Sequence, residues 1–250
     1  VTLSYTHCVY SDPSYVSVSL ITRLDNNNLT TNCTEDLTSA LTTNHSLTQL
    51  NFENNNLGDC GVKRLCEALR NPECKIKGLR LDGNNLTADC TEDLTSALST
   101  NLSLTELILN NNKLGDCGVK RLCEALRNPE CKIESLELDS NNLTADCTED
   151  LTSALSTNHS LTELNLNINN LGDCGVKRLC EALRNPECKI QSLRLDRNSL
   201  TDGCTDDLVS ALSTSRSLRF LYLGTNSFTD GSVPALRRLI RTCTSLEDIR

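Results

Sequence analysis

The sequence predicts an α/β solenoid. An inner parallel β-sheet is lined by outer α-helices and built from alternating units of 28 and 29 residues. Three observations predict it. The 20-residue string LGDCGVKRLCEALRNPECKI stands unchanged at 57–76, 114–133 and 171–190. A second string, LTADCTEDLTSALST, stands at 86–100 and 143–157, with near copies beginning at Leu29 and Leu200. The two alternate with a joint period of 57 residues, and a fixed period of this size marks a stacked-repeat architecture.

Each unit opens with the pattern LxxLxLxxNxL, as in Leu104, Leu107, Leu109, Asn112 and Leu114, and again in Ile133, Leu136, Leu138, Asn141 and Leu143. The two-residue spacing of Leu107 and Leu109 puts both side chains on one face of a strand. Eight strands are expected, centred near Leu24, Phe52, Leu81, Leu109, Leu138, Leu166, Leu195 and Leu223, and a ninth could form at Ile249. The asparagine recurs as Asn27, Asn55, Asn84, Asn112, Asn141, Asn169, Asn198 and Asn226. At a turn its amide can satisfy backbone groups that no strand reaches, so stacked copies should form a hydrogen-bonded ladder.

The second half of each unit reads as helix. In the first type, Val62, Leu65, Cys66 and Leu69 make one apolar stripe, Asp59 is a candidate N-cap and Asn71-Pro72 a stop. In the second, Cys90, Leu94, Ala97 and Leu98 make the stripe and Thr87 can cap. Asp89, Glu92 and Asp93 lie where the helix dipole favours negative charge. Helices are expected near 61–70 and 90–99 and at the 57-residue equivalents of both. No such unit can bury its own apolar faces, and stacking does it instead.

These motifs resemble the ribonuclease-inhibitor-type leucine-rich repeat. One unit of that family reads LxxLxLxxNxLGDxGxxxLCxxLxxPxC, whose second half Leu57–Cys74 carries throughout; the other reads xLTxxxCxxLxxxL, matched by Leu86–Leu98. The resemblance runs from about Ser19 to Arg250. It implies a horseshoe-shaped leucine-rich repeat solenoid. The same repeat type forms the carboxy-terminal domain of NOD-like (NACHT-domain) immune receptors, and the near-identity of successive units resembles the large fish families of those receptors. The function so implied is the ligand-sensing and autoregulatory domain of a cytosolic innate immune receptor. The alternative is a stand-alone cytosolic inhibitor like the ribonuclease inhibitor.

The ends depart from the pattern. Residues 1–17 have no repeat character and are expected to be a segment apart from the repeat domain at 18–250, partly ordered as a cover for the first unit. Thr22 stands where the first strand leucine should be. Near the other end FTDGSVPALRRLIRTC replaces the usual helix string, and Leu246 and Ile249 begin another strand, so the native chain is expected to continue. With no Met, the chain is expected to be a fragment, an excised domain or a processed product.

Composition narrows the function. Hydrophobic content is 38%, aromatic content 3% and Trp absent, so the core must be Leu, Ile, Val, Ala and Cys. No stretch approaches the roughly 20 apolar residues of a membrane span, so neither a span nor a membrane partner is expected. A net charge of −9 repels phosphate backbones, so no nucleic-acid partner is expected. The 15 cysteines are odd in number and include no CxxC pair; most recur at the 57-residue period. Cys60, Cys66, Cys74, Cys33 and their equivalents therefore read as small buried hydrophobes carrying free thiols in a reducing, cytoplasmic compartment. P-loop, GxSxG and HExxH motifs are absent, and the three histidines are His7, His45 and His159. The register of His45 and His159 holds Leu102 in the intervening copy, which argues against a catalytic base. No catalytic residue, metal site or cofactor is expected.

Comparison of the internal copies locates the candidate site. Helices and turns barely differ, and the differences concentrate at strand positions facing away from the core. The residue between the two strand leucines runs Arg23, Asn51, Arg80, Ile108, Glu137, Asn165, Arg194, Tyr222, flanked on the same face by series that include Glu106, Glu163 and Phe220 and Asp82, Asp139 and Asp196. Lys63, Arg64 and Glu67 on the outer helix are unchanged in all three copies, where drift should have altered them too. The concave face is therefore the candidate partner-binding surface, with Arg80, Asp82, Glu106, Glu137, Asp139, Glu163, Arg194, Asp196 and Tyr222 as its residues. Arg80–Asp82 and Arg194–Asp196 are expected to neutralise each other in part, leaving Glu106, Glu137, Asp139 and Glu163 as a solvent-facing acidic patch suited to a basic partner. That partner is a protein ligand or another domain of the same receptor.

Overall fold

One ten-stranded sheet runs through the protein in sequence order in the computed structural model, which describes residues 2–6, 19–44, 46–243 and 245–250. The strands are β1 Thr2–Thr6, β2 Ser19–Arg23, β3 Leu47–Asn51, β4 Gly78–Arg80, β5 Glu106–Ile108, β6 Ser135–Glu137, β7 Glu163–Asn165, β8 Ser192–Arg194, β9 Phe220–Tyr222 and β10 Asp248–Ile249. From β2 to β10 every pairing is parallel. The ninth parallel strand at Ile249 is therefore present. β1 lies antiparallel on β2, Thr2 opposite Arg23 and Thr6 opposite Ser19, so part of the expected N-terminal cover closes the sheet edge. The rest of that segment, at 7–18 with His7 and Cys8, and also His45, lies outside the described residues.

Between the strands stand α1 Thr34–Thr43, α2 Gly58–Leu69, α3 Thr91–Thr100, α4 Gly115–Leu126, α5 Thr148–Thr157, α6 Gly172–Leu183, α7 Thr205–Leu212 and α8 Val233–Thr242, each packed on its neighbours in sequence. Strands stack about 4.8 Å apart while helices with their side chains are about 10 Å across, so the units fan open on the helix side and the sheet takes the concave side. The strands end one or two residues earlier than the sequence suggests. Leu81 and Leu109 still donate to Ile108 and Glu137 of the next strand, but the chain then turns and makes no return bond.

The core is two leucine columns. Leu79, Leu107, Leu136, Leu164, Leu193 and Leu221 form one and Phe52, Leu81, Leu109, Leu138, Leu166 and Leu195 the other, all buried. Each full burial contributes about 1.5–3 kcal/mol. The helix stripes close over them, and Gly118 lets two helices meet: a Cβ there would stand 3.3 Å from Thr91 Cγ2 of the preceding helix.

Polar side chains fasten unit to unit. Asn112 is buried; its Oδ1 accepts from the backbone N–H of Asn84 and Leu86, and its Nδ2 donates to the carbonyls of Leu81 and Leu109. Asn55 and Asn169, one period away, and Asn226, two periods away, do the same. Asn84, Asn141 and Asn198, in the alternate units, reach back to Phe52, Leu109 and Leu166 and accept from Leu57, Leu114 and Leu171.

Asp59 corrects the sequence reading. Leu57 holds the N-cap position of α2 without a side-chain bond, while the Asp59 carboxylate accepts from the N–H (2.8 Å) and hydroxyl (2.7 Å) of Thr87 in the next unit. Thr87 in turn accepts from Asp89 N–H and caps the short 3-10 turn ahead of α3, as expected. Asp116 with Thr144 repeats the arrangement. On the outside, Arg70 and Arg127 bridge forward to Asp93 (3.0 Å) and Asp150 (2.8 Å). Arg64, Arg121 and Arg178 reach back to the carbonyls of Thr31, Ala88 and Ala145.

The 14 described cysteines are free. Ten are buried, and burial pushes the Cys66, Cys123 and Cys180 thiols up to about 12. Cys60, Cys117 and Cys174 are exposed, against expectation. They precede Val62 and its equivalents by two residues, about 200° around the helix and opposite the apolar stripe.

Two outcomes follow from this packing. Asn112→Ala strands several buried backbone groups and should lower stability by at least about 2–3 kcal/mol in urea unfolding. Asn111→Gly, at an exposed position with φ 54°, should change it by less than ~0.5 kcal/mol. Alkylation of the native chain at pH 8, read by mass spectrometry, should label Cys60, Cys117 and Cys174 within minutes and the buried thiols only on unfolding.

Candidate protein-interaction surface

Strand register arranges the side chains of the inner face in rows. Gly78, Glu106, Ser135, Glu163, Ser192 and Phe220 are successive partners in one row, and Arg80, Ile108, Glu137, Asn165, Arg194 and Tyr222 in the next. A third row, Asp82, Asn110, Asp139, Asn167, Asp196 and Gly224, follows where the chain leaves the strand. All nine expected site residues thus share one face.

Their charges do not pair as expected. Arg80 does not neutralise Asp82; it bridges to Glu106 on the next strand at 2.9 Å. Glu106 stands opposite Gly78 and so diagonal to Arg80, its backbone no nearer than that of Asp82; its longer side chain spans the gap, whereas Asp82 is half-buried. Glu106 therefore leaves the uncompensated patch. The pair is open to solvent and contributes only ~0–1 kcal/mol.

Nor does Asp196 pair with Arg194. Its carboxylate accepts from the N–H of Gly224 at 2.6 Å, while its own N–H donates to Asn167 Oδ1 at 2.8 Å. In the same manner Asn110 accepts from Asp139 N–H and donates to Glu137 Oε2 at 2.7 Å. The third row is thus partly a brace between units.

The remaining acidic residues are Glu53, Asp82, Glu137, Asp139 and Glu163. Glu163 is exposed, whereas Glu137 and Asp139 are half-buried rather than free in solvent, and Asn110 of the preceding unit bonds both. Burial, with Glu53 and Glu137 nearby, pushes the Asp82 carboxyl up to about 6, against the opposing pull of backbone and Asn110 hydrogen bonds. Burial also raises Asp139, and the nearby Glu137 adds to it. Among the described residues none of these five carboxylates forms a salt bridge.

Toward the C-terminal end the face changes character. The Arg194 guanidinium lies 5.4 Å and that of Arg250 5.6 Å from the Tyr222 ring centroid. Arg219 lies 5.8 Å from the Phe220 ring. Sequence reasoning named Arg194 and Tyr222 but missed Arg250, although the 28-residue spacing to Tyr222 would have found it.

The unchanged outer residues now divide. Arg64 is held by its bond to Thr31, a structural reason for its constancy. Lys63 and Glu67 are exposed. Among the described residues no group of His, Cys, Asp and Glu could hold a metal ion, and no helix is long and apolar enough to cross a membrane.

Comparison with known proteins gives a consistent picture. The family described as "Leucine Rich repeat" matches residues 43–66, 100–123 and 157–180. The chain is 43% identical over 228 residues to NACHT, LRR and PYD domains-containing protein 3 of Rattus norvegicus, covering 91% of this chain and 22% of that protein. It is 46% identical over 198 residues to the Homo sapiens protein of that name, covering 79% of this chain and 19% of the relative. With NACHT, LRR and PYD domains-containing protein 14 of Homo sapiens it shares 42% identity over 88% of this chain and 20% of the relative. The chain spans about a fifth of the length of the curated relatives it matches.

The raised Asp82 carboxyl has a measurable consequence. A folded-state pKa above the unfolded value means the native chain holds the proton more tightly, so this group's stability contribution is complete below about pH 4 and is lost as pH rises through about 6. Asp82→Asn should therefore raise Tm by about 2–4 °C at pH 7.5, the shift expected for roughly 1 kcal/mol in a chain of this size, and by almost nothing at pH 4. Calorimetry at the two pH values checks it.

Proposed function

We propose, from the premise that this chain is a leucine-rich repeat domain of the kind found in the NACHT, LRR and PYD domains-containing proteins, that it is the ligand-sensing and autoregulatory module of a cytosolic NOD-like innate immune receptor. It binds through its concave face. The observation that carries this reading is the split between frame and face. The asparagine ladder, the Asp–Thr clasps and the leucine columns recur from unit to unit, while the two strand rows above them change in charge, size and ring content. A rigid frame with a variable concave surface is how solenoids generally present binding sites.

The partner is a protein ligand or another domain of the same receptor. Asp82, Glu137, Asp139 and Glu163, which form no salt bridge among the described residues, make the centre of the face acidic and favour a basic surface, steering its approach as well as fitting it. A reducing cytoplasmic setting suits the ten buried free thiols, since thiols stay reduced there.

Charge reversal tests the reading. Glu137→Lys with Glu163→Lys in the full-length receptor should slow association of a basic ligand or domain at least tenfold and flatten its dependence on salt. Glu67→Lys with Glu124→Lys, on the exposed side of α2 and α4, should leave the rate within twofold. Surface plasmon resonance at two ionic strengths measures both. Loss with the outer pair and not the inner would move the working surface to the convex helices.

A further inference from the structure

Arg80 and Arg194 occupy the same place in the repeat, two 57-residue periods apart. Each stands between two strand leucines on the inner face, and each side chain leans toward the following strand. At Arg80 that strand supplies Glu106, whose carboxylate meets the guanidinium at 2.9 Å. The residue equivalent to Glu106 beside Arg194 is Phe220, and the residue equivalent to Ile108 is Tyr222. The in-chain carboxylate has been replaced by two rings. Arg194 keeps its position, lies over the Tyr222 face, and forms no salt bridge or hydrogen bond through its side chain among the described residues. Asp196, the acid on its own strand, is occupied by the Gly224 N–H.

We propose that the corner formed by Arg194, Tyr222 and Phe220 is a receptor for the side-chain carboxylate of an acidic peptide segment, which takes the place that Glu106 holds at Arg80. A guanidinium stacked on an aromatic face keeps its in-plane N–H donors free, and two of them match the two oxygens of a carboxylate. Stacking also orders the side chain beforehand, so little conformational freedom is lost when the carboxylate arrives. The second guanidinium, Arg250, completes a ring of positive potential on the far side of Tyr222 while remaining tied to Asp248 at 2.7 Å. Tyrosine and arginine are the residue types that most often anchor protein interfaces. This corner rests on the reading of the concave face as the partner surface, and it adds that the partner is two-signed. A basic region faces the central carboxylates, and an acidic segment reaches Arg194.

The test is a titration of the isotope-labelled chain with N-acetylated, C-amidated tetraglutamate at 0.15 M salt, followed by the arginine Nε–H signals and the Tyr222 ring signals. The Arg194 signal should move and saturate, the Arg80 signal should stay, and tetraglutamine should move neither. Phe220→Glu should rebuild the Arg80–Glu106 pair at Arg194 and weaken tetraglutamate at least tenfold. Arg194→Gln, read through the Tyr222 ring, should weaken it as much. Unfolding of either variant is detected by its amide spectrum, and the other still decides. An unmoved Arg194 signal, equal response to tetraglutamine, or unaltered binding by Phe220→Glu overturns the proposal. A parallel titration with tetralysine separates the two readings: tetralysine shifts around Glu137 and Glu163, together with no tetraglutamate shift at Arg194, would leave the concave face as partner surface and remove only the carboxylate receptor.

Discussion

The buried asparagine amide is the interaction on which the structure depends. Each unit must leave its strand within a few residues and turn toward a helix, and at that turn the backbone N–H and C=O groups are out of reach of the sheet. Left unpaired in the core they would each cost about 1–3 kcal/mol. Asn112 pairs five of them at once, accepting from two N–H groups of the preceding unit and donating to three carbonyls, and three of the five belong to the unit before it. No unit is therefore satisfied alone. The parallel sheet, the leucine columns and the outward fan of helices all follow from units that can complete their hydrogen bonds only by stacking.

The same logic explains why so many exposed-looking polar residues belong to the frame. Asp59 bonds Thr87, Arg64 bonds Thr31 and Arg70 bonds Asp93, each across a unit boundary. Even on the concave face the third row behaves this way, with Asn110 and Asp196 holding backbone of the next unit. The side chains free to meet a partner are those of the two strand rows, and there the internal copies differ most. Bonding between units and variation among the copies thereby fall largely on different positions of one repeat.

Period, strand registers, helix positions, the asparagine ladder and the Thr87 cap were all legible in the sequence, because each follows from spacing within one unit or from its exact repetition in the next. What escaped was contact between units. Asp59 reads locally as a cap for its own helix, yet its partner is 28 residues on. Arg80 reads as the counter-ion of Asp82, yet its side chain meets Glu106, diagonal to it on the adjacent strand. Glu137 and Asp139 read as solvent-facing because alternation gives the face of a side chain but not its contacts, here with Asn110 of the preceding unit. Cys60 was legible but misread: repetition was taken for burial, while the helical wheel already placed it opposite Val62.

Contact across units also bears on how such a face changes. Since inner side chains such as Arg80 and Arg194 reach toward the next strand, a substitution in one unit alters the environment of the residue before it. Ile108 and Glu106 leave Arg80 paired and half-exposed; Tyr222 and Phe220 leave the equivalent Arg194 stacked and without a carboxylate. The arginine is the same, and its chemistry is set by two residues about 26 to 28 positions later. New binding character can thus arise by changing the strand of one unit while every ladder asparagine, clasp and leucine stays as it was. The frame tolerates this because those two rows carry few of the hydrogen bonds that join the turns, the Asn110–Glu137 bond being one, so the electrostatics of the concave face can be rewritten unit by unit at little expense to the fold.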